Sequence, residues 1–190
     1  DGRAIAPPST PMYIMLNKPA GYACTRRDPH LPSTVYHLLP RGMNRLFTVG
    51  RLDVDTEGLL LLTNDGTWAN DIAHPRKHVS KTYLAEVSGV PVPADLDQLR
   101  RGIELEDGLT LPARARLVWQ RPSQERARLQ IVITEGRKRQ VRRMLAAVGL
   151  PVVWLQRTSI GPVELGALPL GRWRELSPDE IEALRREAGA

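Results

Sequence analysis

The strongest constraint on the fold is a two-residue alternation near the middle of the chain. Over 127–133, Leu129, Ile131 and Ile133 fall on one side of an extended backbone, with Arg128 and Gln130 on the other. Residues 111–119 alternate in the same way, and the segment between the two runs is polar, so the pair reads as antiparallel strands with one wet face. Three further segments read as strands. Met12–Leu16 is a short apolar run closed by Asn-Lys-Pro-Ala-Gly. Leu59–Leu62 is a buried run halted by Asn64-Asp65-Gly66. Residues 79–87 put Val79, Lys81, Tyr83, Ala85 and Val87 on one face and Ser80, Thr82, Leu84 and Glu86 on the other.

Helices are punctuated differently. Thr67–Ala73 stops before Pro75. Pro93 opens a helix that Gly102 ends. Val141, Met144, Leu145 and Val148 recur at helical spacing up to Gly149 and Pro151, and Ser177-Pro178-Asp179-Glu180 fits a capping box opening a last helix. Residues 22–45 read as a long loop with one helical turn near Thr34–Leu39, and long loops of this kind are usually functional or disordered. Strands and helices do not alternate as βαβ units, which predicts an α+β fold around a mainly antiparallel sheet.

The chain carries 27 Lys and Arg against 21 Asp and Glu, a formal net charge of +6, and this balance favours a polyanionic partner. Cys24 is the only cysteine, so no intramolecular disulfide can form, as suits a reducing cytoplasm. No run of eighteen apolar residues predicts a membrane span. Residues 1–11 are proline-rich and aperiodic, and the chain starts at Asp1 rather than Met; they read as a linker from an upstream domain, with the folded domain over 12–190.

Three constellations could carry chemistry. Asp53, Asp55 and Glu57 lie within five residues just ahead of the buried Leu59–Leu62 run. A carboxylate there can act as nucleophile or base if a cation keeps it charged and oriented, although an acidic turn capping a strand has the same pattern. Arg137, Lys138, Arg139, Arg142 and Arg143 crowd the start of an amphipathic helix, where arginine forks and helix N–H groups favour phosphate. Tyr83 can stack on an extruded base from its strand, and can equally be core packing. His74 and His78 have metal-ligand spacing, but Pro75 lies between them and no third ligand is evident, so no metal is expected. Phosphate-cradling and dinucleotide glycine motifs are absent, and no cofactor is expected.

Four segments together resemble the bacterial pseudouridine synthases that act on small- and large-subunit ribosomal RNA. They are LNKPAGYACT (16–25), GRLDVDTEGLLLLTNDG (50–66), HPRKHVSKTYLAEVSG (74–89) and EGRKRQVRRMLAAVG (135–149), followed by a weaker match through LQRTSIGPVELGALPLGRWRELS. The resemblance implies the pseudouridine synthase fold, a mixed but mainly antiparallel sheet with flanking helices and a cleft between two subdomains. It implies Asp53 as the catalytic carboxylate, Tyr83 as the side chain packing on the target base, and Arg142 as the cation pairing with Asp53. The upstream domain of such enzymes is a small RNA-binding module.

The implied reaction breaks the N1–C1′ bond of a uridine in structured ribosomal RNA, turns the base and joins C5 to C1′. Large-subunit RNA is the closer match, with small-subunit RNA or a tRNA as the alternatives. The nucleotide must first leave its stack. Lys18, Arg51, Lys81, Arg137, Lys138, Arg139 and Arg143 are the candidates for holding flanking phosphates. Asp53 would either attack C1′ or take the 2′ proton, and Tyr83 would hold the detached base for re-addition and could help remove the C5 proton. The expected enzyme is a cytoplasmic monomer. Competing readings are a non-catalytic RNA-binding or ribosome assembly factor, which has no need of Asp53 or Tyr83, and a metal-dependent nuclease built on Asp53, Asp55 and Glu57.

Overall fold

The computed structural model describes residues 10–27 and 33–189, so the expected linker lies outside the described residues apart from Thr10 and Pro11. In chain order the strands and helices are β1 (Tyr13–Lys18), β2 (Phe47–Val49), β3 (Glu57–Thr63), α1 (Gly66–Ala73), β4 (Lys81–Ser88), α2 (Pro93–Arg101), β5 (Glu104–Leu105), β6 (Gly108–Leu109), β7 (Arg114–Arg121), β8 (Arg126–Ile133), α3 (Gln140–Ala147), β9 (Val152–Ile160), β10 (Val163–Glu164), β11 (Trp173–Glu175) and α4 (Pro178–Glu187). The predicted α+β class is the observed one.

The main sheet runs β11-β1-β3-β9-β4-β8-β7, with β2 on β3 and β10 on β9. Every pairing in it is antiparallel except β3 with β9, which holds only through Glu57–Gln156 and Gly58–Arg157. One edge of β3 therefore serves two neighbours: β2 along Leu61–Thr63 and β9 at Glu57–Gly58. The sheet forks there. Gly58 makes the close approach possible: its φ is +106°, and a Cβ at this position would overlap the Arg157 carbonyl oxygen.

Burial explains which sequence patterns were visible. Ile14, Leu16, Leu60 and Leu62 pack on one side of the sheet with Tyr83, Ala85, Leu129, Ile131 and the α3 residues Val141, Met144 and Leu145. Met15, Leu59 and Leu61 pack on the other side with Trp68 and Ile72 of α1 and Leu184 of α4. Strands β1 and β3 are thus covered on both faces, which is why Leu59–Leu62 is an unbroken apolar run. In β8 every second residue, Ala127 to Ile133, is buried, and the residues between are only half-buried. Each buried Leu or Ile contributes about 1.5–3 kcal/mol relative to exposure.

Caps fix the helix ends. The Asp65 side chain accepts the Trp68 N–H at the start of α1, and Gly102 ends α2 with a φ of +101°. At α4 the Ser177 N–H donates to Glu180 Oε2 at 2.8 Å and the Glu180 N–H to Ser177 Oγ at 3.2 Å. Among its described residues, the loop expected over 22–45 contains two 3-10 turns, at Val35–Leu38 and at Met43–Arg45. Periodicity assigns no strand to 152–160, yet β9 is central to the sheet. Among the described residues no helix is long and apolar enough to cross a membrane.

Candidate active site

The fork between β2 and β9 opens a cleft of about 570 Å³. Its walls are the loop joining β2 to β3, the end of α1, and the loop entering α3; its floor is β4 and β9. Asp53, Tyr83, Lys81, Arg139, Arg51 and Arg157 all line it.

The loop carrying Asp53 is tied down from both sides. Lys18, 0% exposed, donates from Nζ to Pro19 O at 2.8 Å and Val54 O at 3.2 Å. The Gly21 N–H also donates to Val54 O, and the Leu52 N–H to Cys24 Sγ at 3.4 Å. The Thr56 N–H closes a tight turn on Asp53 O at 3.1 Å. Burial pushes the Lys18 ammonium below its ordinary pKa, against the opposing pull of Cys24 and the loop carboxylates. The expectation that Lys18 holds an RNA phosphate is corrected: a fully buried ammonium facing two carbonyls braces the loop and meets no solvent.

The cation nearest Asp53 is Arg139, whose Nη1 lies 4.0 Å from Asp53 Oδ2. The same guanidinium forks onto Asp55, with Nη1 and Nη2 each 2.8 Å from a carboxylate oxygen. This bidentate contact holds the Asp55 carboxyl below the usual carboxylate range despite some burial. Arg142 contacts the loop one step further along. Its Nη2 donates to Asp55 O at 2.8 Å and Thr56 Oγ1 at 3.4 Å, and lies 3.5 Å from Asp55 Oδ2. The expected Arg142–Asp53 ion pair is therefore corrected. Arg139 and Arg142 stand three residues apart on one side of the start of α3, and the left-handed backbone at Arg139 (φ +51°) turns its side chain over the loop.

Tyr83, 8% exposed, lies on the cleft floor directly across from Arg157 in the β4–β9 register. Arg157 is 3% exposed; its Nε donates to Leu59 O at 2.8 Å, and its Nη1 is 3.5 Å from the Tyr83 hydroxyl. Nη2 is buried with no hydrogen-bond partner, and among the described residues Arg157 makes no ion pair. Sequence reasoning missed this residue. The available signal was parity: Arg157 is two residues from buried Leu155, so it shares the inward face of β9.

The other predicted phosphate ligands divide into two groups. Arg137 is occupied by the β5–β6 hairpin, donating to Asp107 O, Gly108 O and Leu109 O and to Glu135. Arg143 forks onto Asp107 at 2.9 and 3.0 Å. Both fasten that hairpin to α3, and Arg137 also lines the cleft. Arg51 and Lys138 are exposed on the cleft rim, and neither makes a side-chain hydrogen bond or ion pair among the described residues. Lys81 lies on the floor, with Nζ donating to Val79 O at 2.9 Å.

The carboxylates do not converge. Asp55 is taken by Arg139, and Glu57 accepts the Trp154 indole N–H at 3.0 Å, leaving Asp53 facing the cleft. His74 caps the 3-10 turn at Pro75–Lys77 through Nδ1, and His78 adopts a left-handed backbone beyond it, so the two do not share a helix face.

These positions can be compared with known proteins. The sequence model of the family described as RNA pseudouridylate synthase matches residues 12–147. Ribosomal large subunit pseudouridine synthase B of Bacillus subtilis (strain 168) is 42% identical over 92% of this chain and 72% of its own length. Ribosomal small subunit pseudouridine synthase A of Escherichia coli (strain K12) is 41% identical over 97% of this chain and 78% of its own. A crystal structure of a pseudouridylate synthase superposes with a TM-score of 0.84 at 38% identity, covering 92% of this chain and 74% of the other. A far more distant structure, the archaeal box H/ACA Nop10–Cbf5 complex, shares the fold alone, with a TM-score of 0.59 at 16% identity over 94% of this chain and 56% of that one. A match over most of the chain, close relatives covered for most of their length and a shared fold agree: this chain belongs to the RNA pseudouridylate synthase family.

Proposed function

We propose that this chain converts one uridine of ribosomal RNA to pseudouridine, working in the cytoplasm as a monomer on a nucleotide extruded from a stem-loop, with Asp53 as the reacting carboxylate. The observation that carries the reading is the joint position of Asp53 and Tyr83 in one cleft, with Arg139 4.0 Å from the Asp53 carboxylate. The cleft is of a size that holds a single nucleotide.

The uncommitted cations Arg51 and Lys138 on the rim hold the phosphates flanking the target, which positions the RNA without reading its sequence. Extruding the nucleotide costs a few kcal/mol, offset by stacking of the base on Tyr83. Asp53 then reaches the sugar, either attacking C1′ or taking the 2′ proton. Arg139 keeps a positive charge beside it, and the loop contacts of Lys18, Cys24 and Arg142 hold its approach angle. The freed uracil turns on the Tyr83 ring until C5 faces C1′. Relatives named for each ribosomal subunit stand at nearly equal identity, and large-subunit RNA is the first substrate to test.

The test uses ribosomal RNA transcribed with uridine tritiated at C5. Isomerisation releases tritium to water, and mapping then finds pseudouridine at one position. RNA that is bound but neither modified nor stripped of tritium would instead identify a non-catalytic RNA-binding protein.

A further inference from the structure

The cleft uses one face of β4, β8 and β9, and the opposite face carries a charge pattern that the isomerisation does not explain. Lys81 and Tyr83 of β4 line the cleft, so Thr82, Leu84 and Glu86, at the alternate positions, point to the other side of the sheet. In register with them on that side stand Arg126 and Arg128 of β8, Arg114, Arg116 and Arg121 of β7, and Trp154 of β9. The described helices lie elsewhere. Leu99 of α2 and Val141 of α3 pack on the cleft side with Ala115 and Leu129, while α1 and α4 cover Leu59 and Leu61 of β3. Helix α4 meets the back face at its margin, where Glu187 accepts the Ser80 N–H and hydroxyl.

Positive charge on this face is left unbalanced. Glu86 is the carboxylate set among the arginines, and it is taken by Arg128 at 3.0 Å. Glu57, at the β3 margin, accepts the Trp154 indole N–H. Among the described residues Arg114, Arg116, Arg121 and Arg126 form no ion pair, whereas on α3 Asp55 and Asp107 engage Arg139, Arg142 and Arg143. Arg121 even stands directly opposite Arg126 in the β7–β8 register, a like-charge pair that works against the sheet. Two indoles hold the guanidiniums in place: Arg128 lies 5.3 Å from the Trp119 ring centre and 4.9 Å from that of Trp154, and Arg121 lies 5.1 Å from Trp119. Beside them Thr82, Arg114, Arg116, Gln130 and Val132 line a hollow of about 340 Å³, in which Arg116 Nε donates to Gln130 Oε1.

We propose that this back face is a second RNA-binding surface, gripping the phosphate backbone of a segment of the ribosomal RNA remote from the nucleotide in the cleft. The inference rests on RNA as the substrate, and not on the role of Asp53. Phosphate suits the face because every cation on it is an arginine, whose fork fits two oxygens at once. An apolar protein partner would bury unpaired guanidiniums, which is costly, and would meet Thr82, Gln130 and indoles already engaged by arginine. From Arg114 to Arg121 the strand runs about 23 Å at about 3.3 Å per residue, long enough to follow several nucleotides. The sheet separates this surface from the cleft, so each holds a different stretch of RNA. Backbone contacts carry no sequence information, so the back face adds affinity and orientation while the cleft receives the target.

Two double variants test this, each removing two positive charges from exposed arginines. Arg114→Gln with Arg116→Gln strips the back face; Arg101→Gln with Arg186→Gln takes the same charge from the ends of α2 and α4. Binding to ribosomal RNA is measured by filter retention across a salt series, which requires no turnover. The back-face variant should bind roughly tenfold or more weakly at about 0.1 M salt, and its slope of log affinity against log salt should fall by about 2. The control variant should keep the wild-type slope. Equal losses in the two variants would reduce the effect to overall charge, and an unchanged back-face variant would leave the face to an acidic protein; either result overturns the proposal. Wild-type protein that binds no ribosomal RNA would remove the RNA reading and the proposal with it. Binding that depends on Arg114 and Arg116 without any tritium release would support this surface and fault the reaction assignment alone.

Discussion

Adding one methyl group at Gly58 should cost far more than adding it at another glycine with the same backbone twist. Gly58 and Gly108 have φ values of +106° and +97°, so alanine at either bears a similar backbone penalty of about 1–2 kcal/mol. They differ in what the new Cβ meets. At Gly108 no heavy atom lies within 4 Å. At Gly58 the Cβ would overlap the Arg157 carbonyl oxygen and lie 2.8 Å from the Arg157 nitrogen, both rigid backbone atoms. Strand β3 must then draw away from β9, and their parallel contact consists only of two residue pairs. Losing one or two backbone hydrogen bonds adds about 1–2 kcal/mol. The totals are about 2–4 kcal/mol for Gly58→Ala and about 1–2 for Gly108→Ala. For a chain of this length each kcal/mol shifts Tm by about 2–4 °C, so the two variants should differ in Tm by about 2–8 °C. Thermal unfolding followed by circular dichroism, run side by side, measures the difference. Equal shifts would refute the argument that the fork is held open by a glycine contact. Gly58→Ala should also lose turnover at temperatures where it is still folded, because Arg157 and Tyr83 move with β9.

Three other outcomes follow. Arg51→Ala and Lys138→Ala should each weaken RNA binding and reduce the slope of log affinity against log salt by about 1, with turnover at saturating RNA unchanged; loss of turnover alone would assign them to catalysis. Arg142→Ala should do the reverse, slowing turnover while RNA affinity holds, because it frees the Asp55 carbonyl that steadies the loop. Arg174 holds the Glu180 carboxyl below its usual range, so the ion pair and cap contribute above the unfolded carboxylate pKa of about 4.3 and fade as pH falls through the lower folded value. Glu180→Ala should cost about 1 kcal/mol at pH 7, in urea unfolding, and the difference from wild type should shrink as acid protonates the carboxyl.

How much of this was legible in the sequence depended on how each element is covered. Strand β8 showed its period because one face is buried and the other only half-buried. Leu59–Leu62 read as buried because β3 is covered on both faces. Strand β9 escaped because an apolar start, Val152–Leu155, is followed by Gln156, Arg157, Thr158 and Ser159, and its inward position holds an arginine. Strands β2 and β11 have only three residues each, too few for any period. At the site, the motifs singled out Asp53 and Tyr83, and both line the cleft. The division of labour among the arginines was not. Spacing puts Arg137, Arg139, Arg142 and Arg143 near one helix start, but only the fold decides that Asp107 engages Arg137 and Arg143 while Asp55 takes Arg139 and Arg142.

The central claim is that the Asp53 carboxylate reacts with the sugar of an extruded uridine. Asp53→Asn keeps the size of the side chain and removes its charge, and Asp55→Asn makes the same change two residues away in a side chain that binds Arg139. Tritium release from ribosomal RNA labelled at C5 of uridine, measured beside RNA binding, compares them directly. The account predicts that Asp53→Asn binds RNA and releases no tritium, whereas Asp55→Asn is slowed but active. Turnover by Asp53→Asn at a rate near that of the wild type would contradict it.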